Sequence, residues 1–174
     1  MKKLFVAIFA LTLFIAAQSQ AQCKFKVNES DPFTSEKHLV SKNIRLNGDM
    51  KSANEAKFFA ITNLEKKGTT YRWNFEFYER VLRDKNSLKP MKLRIKTKSG
   101  VVELVSTAIP DPKYTFEENA QMTELDFYFE LTAEQMKMLE SGVEIIGIDI
   151  FGENKLFKDN SLTDIGPFAK CMQE

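Results

Sequence analysis

Apolar and polar residues alternate with a period of two over most of this chain. In Tyr71–Tyr78, Trp73, Phe75 and Phe77 alternate with Arg72, Asn74, Glu76 and Tyr78, which predicts a strand with one buried face. Met91–Lys98 is stricter: Met91, Leu93 and Ile95 fall on one side, Lys92, Arg94, Lys96 and Lys98 on the other. Lys98-Ser99-Gly100 then turns the chain into Val101–Thr107, the pattern of a hairpin. Leu125, Phe127, Phe129 and Leu131 alternate with Glu124, Asp126, Tyr128 and Glu130. His38–Leu46 and Lys57–Leu64 predict weaker strands on either side of the turn-prone Asn47-Gly48-Asp49. Val143–Phe151 predicts a last strand, with Ile146, Ile148 and Ile150 on one face.

One helix is signposted between the last two strands. Thr132-Ala133-Glu134-Gln135 has the spacing of a capping box, Leu131 and Met136 occupy the staple positions, and Gly142 can end the helix in a left-handed conformation. Met136 and Leu139 give it only a narrow apolar stripe, so it caps one end of a β core. A second helical stretch is predicted from Ser161 toward Met172, where Leu162, Ile165 and Phe168 recur every three residues and Gly166-Pro167 interrupts them. The expected fold is mainly β with a minor α part. It is an antiparallel sandwich or partly open barrel of about seven strands, with one short capping helix and a C-terminal helical tail.

Composition adds a compartment. Lys2 and Lys3 precede an apolar run, Leu4 to Ala17, and Ser19-Gln20-Ala21 supplies small residues at the −3 and −1 positions, so residues 1–21 read as a secretory signal of bacterial type. The run is short of the roughly 20 apolar residues that a membrane helix needs. Residues 22–174 then form one β-rich domain of about 150 residues, enough for a full core. The expected location is the periplasm, the cell surface or the exterior. In such a compartment the only two cysteines, Cys23 and Cys171, most simply join the two ends of the domain in a disulfide. Lipid attachment at Cys23 is the rival, but Gln22 and Gln20 stand where a lipobox has a small residue and a leucine.

Charge and motifs narrow the chemistry. The chain's net charge of +1 falls just below zero once Lys2 and Lys3 are removed, which argues against nucleic acid as a partner. No later apolar run is long enough for a membrane span, and no phosphate loop, EF-hand loop or zinc spacing occurs, so no cofactor or metal is expected. His38 is the only histidine and has no carboxylate or nucleophile at a meaningful sequence spacing, so it reads as a surface residue. Acid pairs such as Glu117-Glu118, or Asp149 with Glu153, can be named for a hydrolase, but a two-carboxylate mechanism depends on geometry. The candidate binding residues are therefore basic and aromatic. Lys92, Arg94 and Lys96 form a charged strand face, either paired with Glu124, Asp126 and Glu130 of another strand or docking an acidic partner. Tyr128 alternates onto a polar face, and Tyr114 and Phe116 lie in a predicted Pro110–Asn119 loop, where the rings either fold back over the edge of the core or, exposed, stack on sugars or anchor a protein.

The start of the mature chain carries a resemblance. Cys23, Asn28-Glu29, Asp31-Pro32-Phe33-Thr34 and a lysine-rich strand, followed later by Leu131–Gln135 and Gly142–Ile150, resemble small exported Gram-negative bacterial proteins of unknown function. The resemblance implies no activity. The functional expectation is an exported, non-enzymatic binding or structural module of the bacterial envelope or exterior, with a protein or glycan as partner. A carrier of a small apolar ligand inside a barrel is the alternative, and a carboxylate hydrolase the third reading. Ligand identity and oligomeric state are open at this level.

Overall fold

In a computed structural model that describes residues 23–48, 58–80, 88–117, 120–150 and 152–174, the alternating segments form two antiparallel sheets. The predicted signal, residues 1–21, lies outside the described residues. Among those residues the strands are β1 (Phe25–Ser30), β2 (Lys37–Ser41), β3 (Ile44–Asn47), β4 (Phe58–Lys67), β5 (Thr70–Glu79), β6 (Lys92–Thr97), β7 (Gly100–Val105), β8 (Lys113–Glu117), β9 (Ala120–Leu131), β10 (Val143–Ile150) and β11 (Glu153–Phe157). The larger sheet runs β1-β2-β4-β5-β9-β8, with β3 also paired to β4; the smaller runs β11-β10-β6-β7. The result is an open sandwich and not a closed barrel.

The strand number exceeds the seven expected. Short β1 and β11 carry too few alternations to register as strands, and the predicted Pro110–Asn119 loop contains β8. His38–Leu46, read as one strand, is broken into β2 and β3, which lie in tandem along the same edge of β4. The break has a chemical cause. Ser41 is fully buried, and its hydroxyl accepts a 2.9 Å hydrogen bond from the Leu64 amide while donating to the Lys42 carbonyl at 3.1 Å. A side chain thus satisfies a buried β4 amide at the break, where leaving it unmet would be costly.

The inner faces meet as the alternation requires. Trp73, Phe75 and Phe77 of β5 and Leu125, Phe127 and Phe129 of β9 pack against Leu93 and Ile95 of β6 and Ile146, Ile148 and Ile150 of β10. Phe75 lies 5.7 Å from Phe127 and 6.2 Å from Phe157, ring centre to ring centre. Offset and edge-on contacts at such distances add to area burial. These rings occupy the interior that a carrier of apolar ligands would keep open, so that alternative gains nothing from the packing. The Trp73 indole N–H donates to the hydroxyl of Thr62, itself buried, so the polar edge of the ring is met. One charged pair also enters: Lys155 of β11 meets Glu79 at the end of β5 at 2.9 Å, joining the two sheets.

Helix α1 (Ala133–Glu140) begins as its sequence dictates. The Thr132 hydroxyl accepts from the Gln135 amide, and the Gln135 side chain accepts from the Thr132 amide. Met136 and Leu139 are its buried residues, and Gly142 follows at φ +109°. The tail forms a 3-10 turn (Asn160–Asp164) and then α2 (Ile165–Cys171). Gly166 and Pro167 fall in the first turn of α2, where a missing N–H is harmless, so they start this helix instead of interrupting it. At Gly166 a Cβ would lie 3.2 Å from the Glu140 carbonyl oxygen, so the two helices pack tightly here and a side chain would have to push backbone aside by a few tenths of an ångström.

Cys171 ends α2, and Cys23 precedes β1. The two are disulfide-bonded with Cα atoms 6.0 Å apart, inside the range such a bond accepts. The expected clasp between the ends of the domain is present. No helix among the described residues is long and apolar enough to cross a membrane.

Candidate functional site

Each sheet has a face turned away from the core, and the predicted binding residues divide between them. Lys92, Arg94 and Lys96 lie on the outer face of the smaller sheet, whereas Tyr128 lies on the outer face of the larger. They cannot form one surface, because the apolar sides of β6 and β9 face each other across the core and their polar sides point apart. Pairing between Lys92–Lys96 and Glu124–Glu130 is ruled out for the same reason. The basic row instead finds acids in its own sheet: Arg94 bonds Glu103 of β7 at 2.8 Å and Lys96 bonds Glu144 of β10 at 2.9 Å. Lys92 stands opposite Asp149. This is a solvated, charge-balanced face.

Tyr114 is in β8, opposite Thr123, and is 53% exposed, but it alternates to the side away from Lys113 and so away from Tyr128. The side chain of Phe116 lies outside the described residues. Of the acid pairs, Glu118 is also outside them. Asp149 and Glu153 sit on opposite faces of their sheet, since Asp149 pairs with Asn154 and Glu153 with Ile150. No group of three or more potential metal ligands occurs among the described residues.

The outer face of the larger sheet carries the remaining chemistry. Registry across β4, β5 and β9 sets Glu65, Arg72 and Glu130 in one row, Asn63, Asn74 and Tyr128 in the next, and Ile61, Glu76 and Asp126 in the third. Toward the far end Phe59, Tyr78 and Met122 form a small buried apolar cluster, with Phe59 and Tyr78 stacked at 4.6 Å and the Arg45 guanidinium 3.9 Å over Phe59. Burial, with Glu124 and Glu76 close by, holds the Tyr78 phenol well above the ordinary tyrosine range. Glu124 is raised as well, by burial first and then by Asp126. Lys113 bonds both Asp126 and Glu124, and its pairing with Asp126 strengthens its hold on the proton. At this end Glu76, Glu124 and Asp126 gather, with Lys113 paired into them and Arg45 over Phe59.

The opposite end differs. A hollow of about 190 Å³ beside the β4–β5 turn is lined by Glu65, Lys67, Thr70 and Arg72. Glu65 is positioned from two sides: one oxygen lies 3.0 Å from His38 Nε2 and the other accepts from the Asn74 amide at 3.3 Å. Asn74 in turn donates to Asn63 at 2.9 Å. The His38–Glu65 pair was invisible to sequence spacing, because 27 residues separate the two and only the β2–β4 registry joins them. Recognising that His38–Leu46 lies against the end of the next strand would have revealed it.

Arg72 is the unusual member. Glu65 and Glu130 flank it on the neighbouring strands, yet among the described residues its guanidinium makes no hydrogen bond or ion pair, and its Nε is buried without a partner. It lies instead over the ring of Tyr128, 4.7 Å from the ring centre, within cation–π range. The plane is held, and the donors are left unused. Beside it, Lys67 contributes a cation and Thr70 a hydroxyl to the same hollow.

No protein-family model, curated protein or solved structure matches this chain.

Proposed function

We propose that this chain is an exported, non-enzymatic binding module of the bacterial envelope or exterior. It engages its partner through the outer face of the larger sheet, at the end where Arg72, Lys67, Thr70 and Glu65 surround a hollow beside Tyr128. The observation that carries this reading is the Arg72 guanidinium, oriented on Tyr128 while its hydrogen-bonding capacity goes unused. Its Nε is buried without a partner, a rare arrangement in folded proteins, and the donors open to a ligand are those of the outer guanidinium nitrogens. The hollow has a fixed acceptor in Glu65 and donors in Arg72 and Lys67, but lacks an evident nucleophile paired to a base, as a binding site does and a hydrolase site does not.

The disulfide and the absence of a membrane-length helix among the described residues are compatible with an exported chain. The test is comparative: nuclear magnetic resonance spectra of the mature protein, titrated with envelope glycan and peptide fractions. Binding that perturbs amides of Glu65–Asn74 and Tyr128 supports the face. Perturbation confined to the β6–β7 side of the molecule, with Arg72→Gln binding as the wild type, overturns it.

A further inference from the structure

The geometry points to an anionic sugar unit, its carboxylate received by Arg72, as the ligand of this hollow. The inference rests on the binding-face reading above and goes further by naming the ligand's chemistry. Size is the first argument. About 190 Å³ is below the 300–1,000 Å³ of sites that enclose drug-sized ligands, so it accepts one residue of a longer molecule or a single small unit.

Charge and hydrogen bonding are the second. The Arg72 Nε is buried, and neither Glu65 nor Glu130 pairs with the guanidinium, so its two terminal nitrogens offer a donor pair that a carboxylate matches in a bidentate manner. Lys67 lines the same hollow and adds a second positive charge. A simple anion would not need the fourth wall, which is Glu65. This carboxylate is held by His38 and Asn74, and it repels an anion while accepting from hydroxyl groups. Thr70 both donates and accepts. A ligand with an anionic group at one end and hydroxyls at the other satisfies all four walls, and an acidic sugar has that distribution.

Tyr128 supplies the third argument. Its ring carries the Arg72 guanidinium 4.7 Å from the ring centre, so it fixes the plane in which the arginine presents its donors without itself lining the hollow. The sheet supports all of these groups on three hydrogen-bonded strands and not on a mobile loop, which reduces the ordering cost of binding.

The experiment uses the mature disulfide-bonded protein and a galacturonate oligosaccharide, with its fully methyl-esterified form as the neutral control. Amide shifts at Glu65–Asn74 are expected with the acid. Affinity should fall at least tenfold with the ester, and again by a similar factor in Arg72→Gln and less in Thr70→Val. Each variant is first checked for an unchanged spectrum away from the hollow. If the ester or an acidic peptide shifts the same amides as strongly as the acid, the sugar-acid assignment is wrong while the binding face stands. If none of the three probes perturbs these amides, the sugar-acid assignment fails. If envelope fractions leave them unmoved as well, the binding face fails with it.

Discussion

Lys155 reaches from β11 across the gap between the sheets to place its ammonium 2.9 Å from the carboxylate of Glu79, which is 1% exposed at the end of β5. The same ammonium lies 2.7 Å from Glu153 and 5.3 Å from the centre of the Phe58 ring. Burial alone would lower the lysine's pKa, but the two carboxylates outweigh it and the pKa is raised. Lys155→Met withdraws the cation from a carboxylate that has little access to water. It should destabilise the fold by about 3 kcal/mol, the usual cost of breaking a buried pair from one side. Glu153→Gln, at the exposed end of the pair, should cost less than about 1 kcal/mol. Urea denaturation of both variants checks the contrast, and equal losses would contradict it.

The clasp between Cys23 and Cys171 closes nearly the whole domain, with a sequence separation of 148. For loops this long the chain-entropy account gives a stabilisation near 5 kcal/mol as an upper figure, with 2–4 kcal/mol typical. A Cys23→Ser, Cys171→Ser double variant should therefore melt well below the wild type yet keep its far-ultraviolet circular dichroism, since the core is formed by other residues. Calorimetry with and without reductant gives the comparison, and a melting temperature indifferent to reduction would show that the bond does not hold the termini under load.

Gly166 lets α2 approach α1. A methyl group there would meet the carbonyl oxygens of Glu140 and Leu139 and the Cα of Gly142, all backbone atoms that cannot rotate aside. Gly166→Ala should cost about 1–3 kcal/mol by overpacking, despite alanine's better helix propensity. The sign of the change in denaturation midpoint decides it, since a stabilised variant would mean that the helices part without penalty.

Glu124 gives the pH dependence a definite sign. Its carboxyl is raised above the ordinary 4.5, first by burial and then by Asp126, with Lys113 offsetting part of the effect. The folded state therefore binds this proton more tightly than the unfolded state does. Its contribution to stability is full below the unfolded value and is lost as pH rises through the folded one. Glu124→Gln should remove that decline, so the variant gains on the wild type as pH rises from 4.5 toward neutrality. Lys113 keeps Asp126 as its partner in the variant. Denaturation midpoints at pH 4 and pH 7 measure the difference, and an unchanged slope would refute the assignment.

The strand faces were legible in the sequence wherever alternation was long. Trp73, Phe75 and Phe77 lie inside and Arg72, Asn74 and Glu76 outside, as a period of two demands. Alternation is a local property, so it sorts residues to faces without saying which strands are neighbours. That is why Lys92, Arg94 and Lys96 could be recognised as a polar face but not assigned to Glu103 and Glu144, and why Tyr128 could be identified without Arg72 above it.

By itself the sequence determined the β-rich class, the capping box at Thr132–Gln135, the pairing of its only two cysteines and the inward set of aromatics. Each follows from short-range periodicity, from a local hydrogen-bond motif or from there being one choice. Only the tertiary structure decided that His38 meets Glu65, that Glu79 meets Lys155 between sheets, and that Arg72 is left with unused donors over Tyr128. Those relationships come from strand registry and sheet stacking, which bring together groups separated by tens of residues. They depend on how all the apolar faces are buried at once, and no segment of the chain specifies that alone.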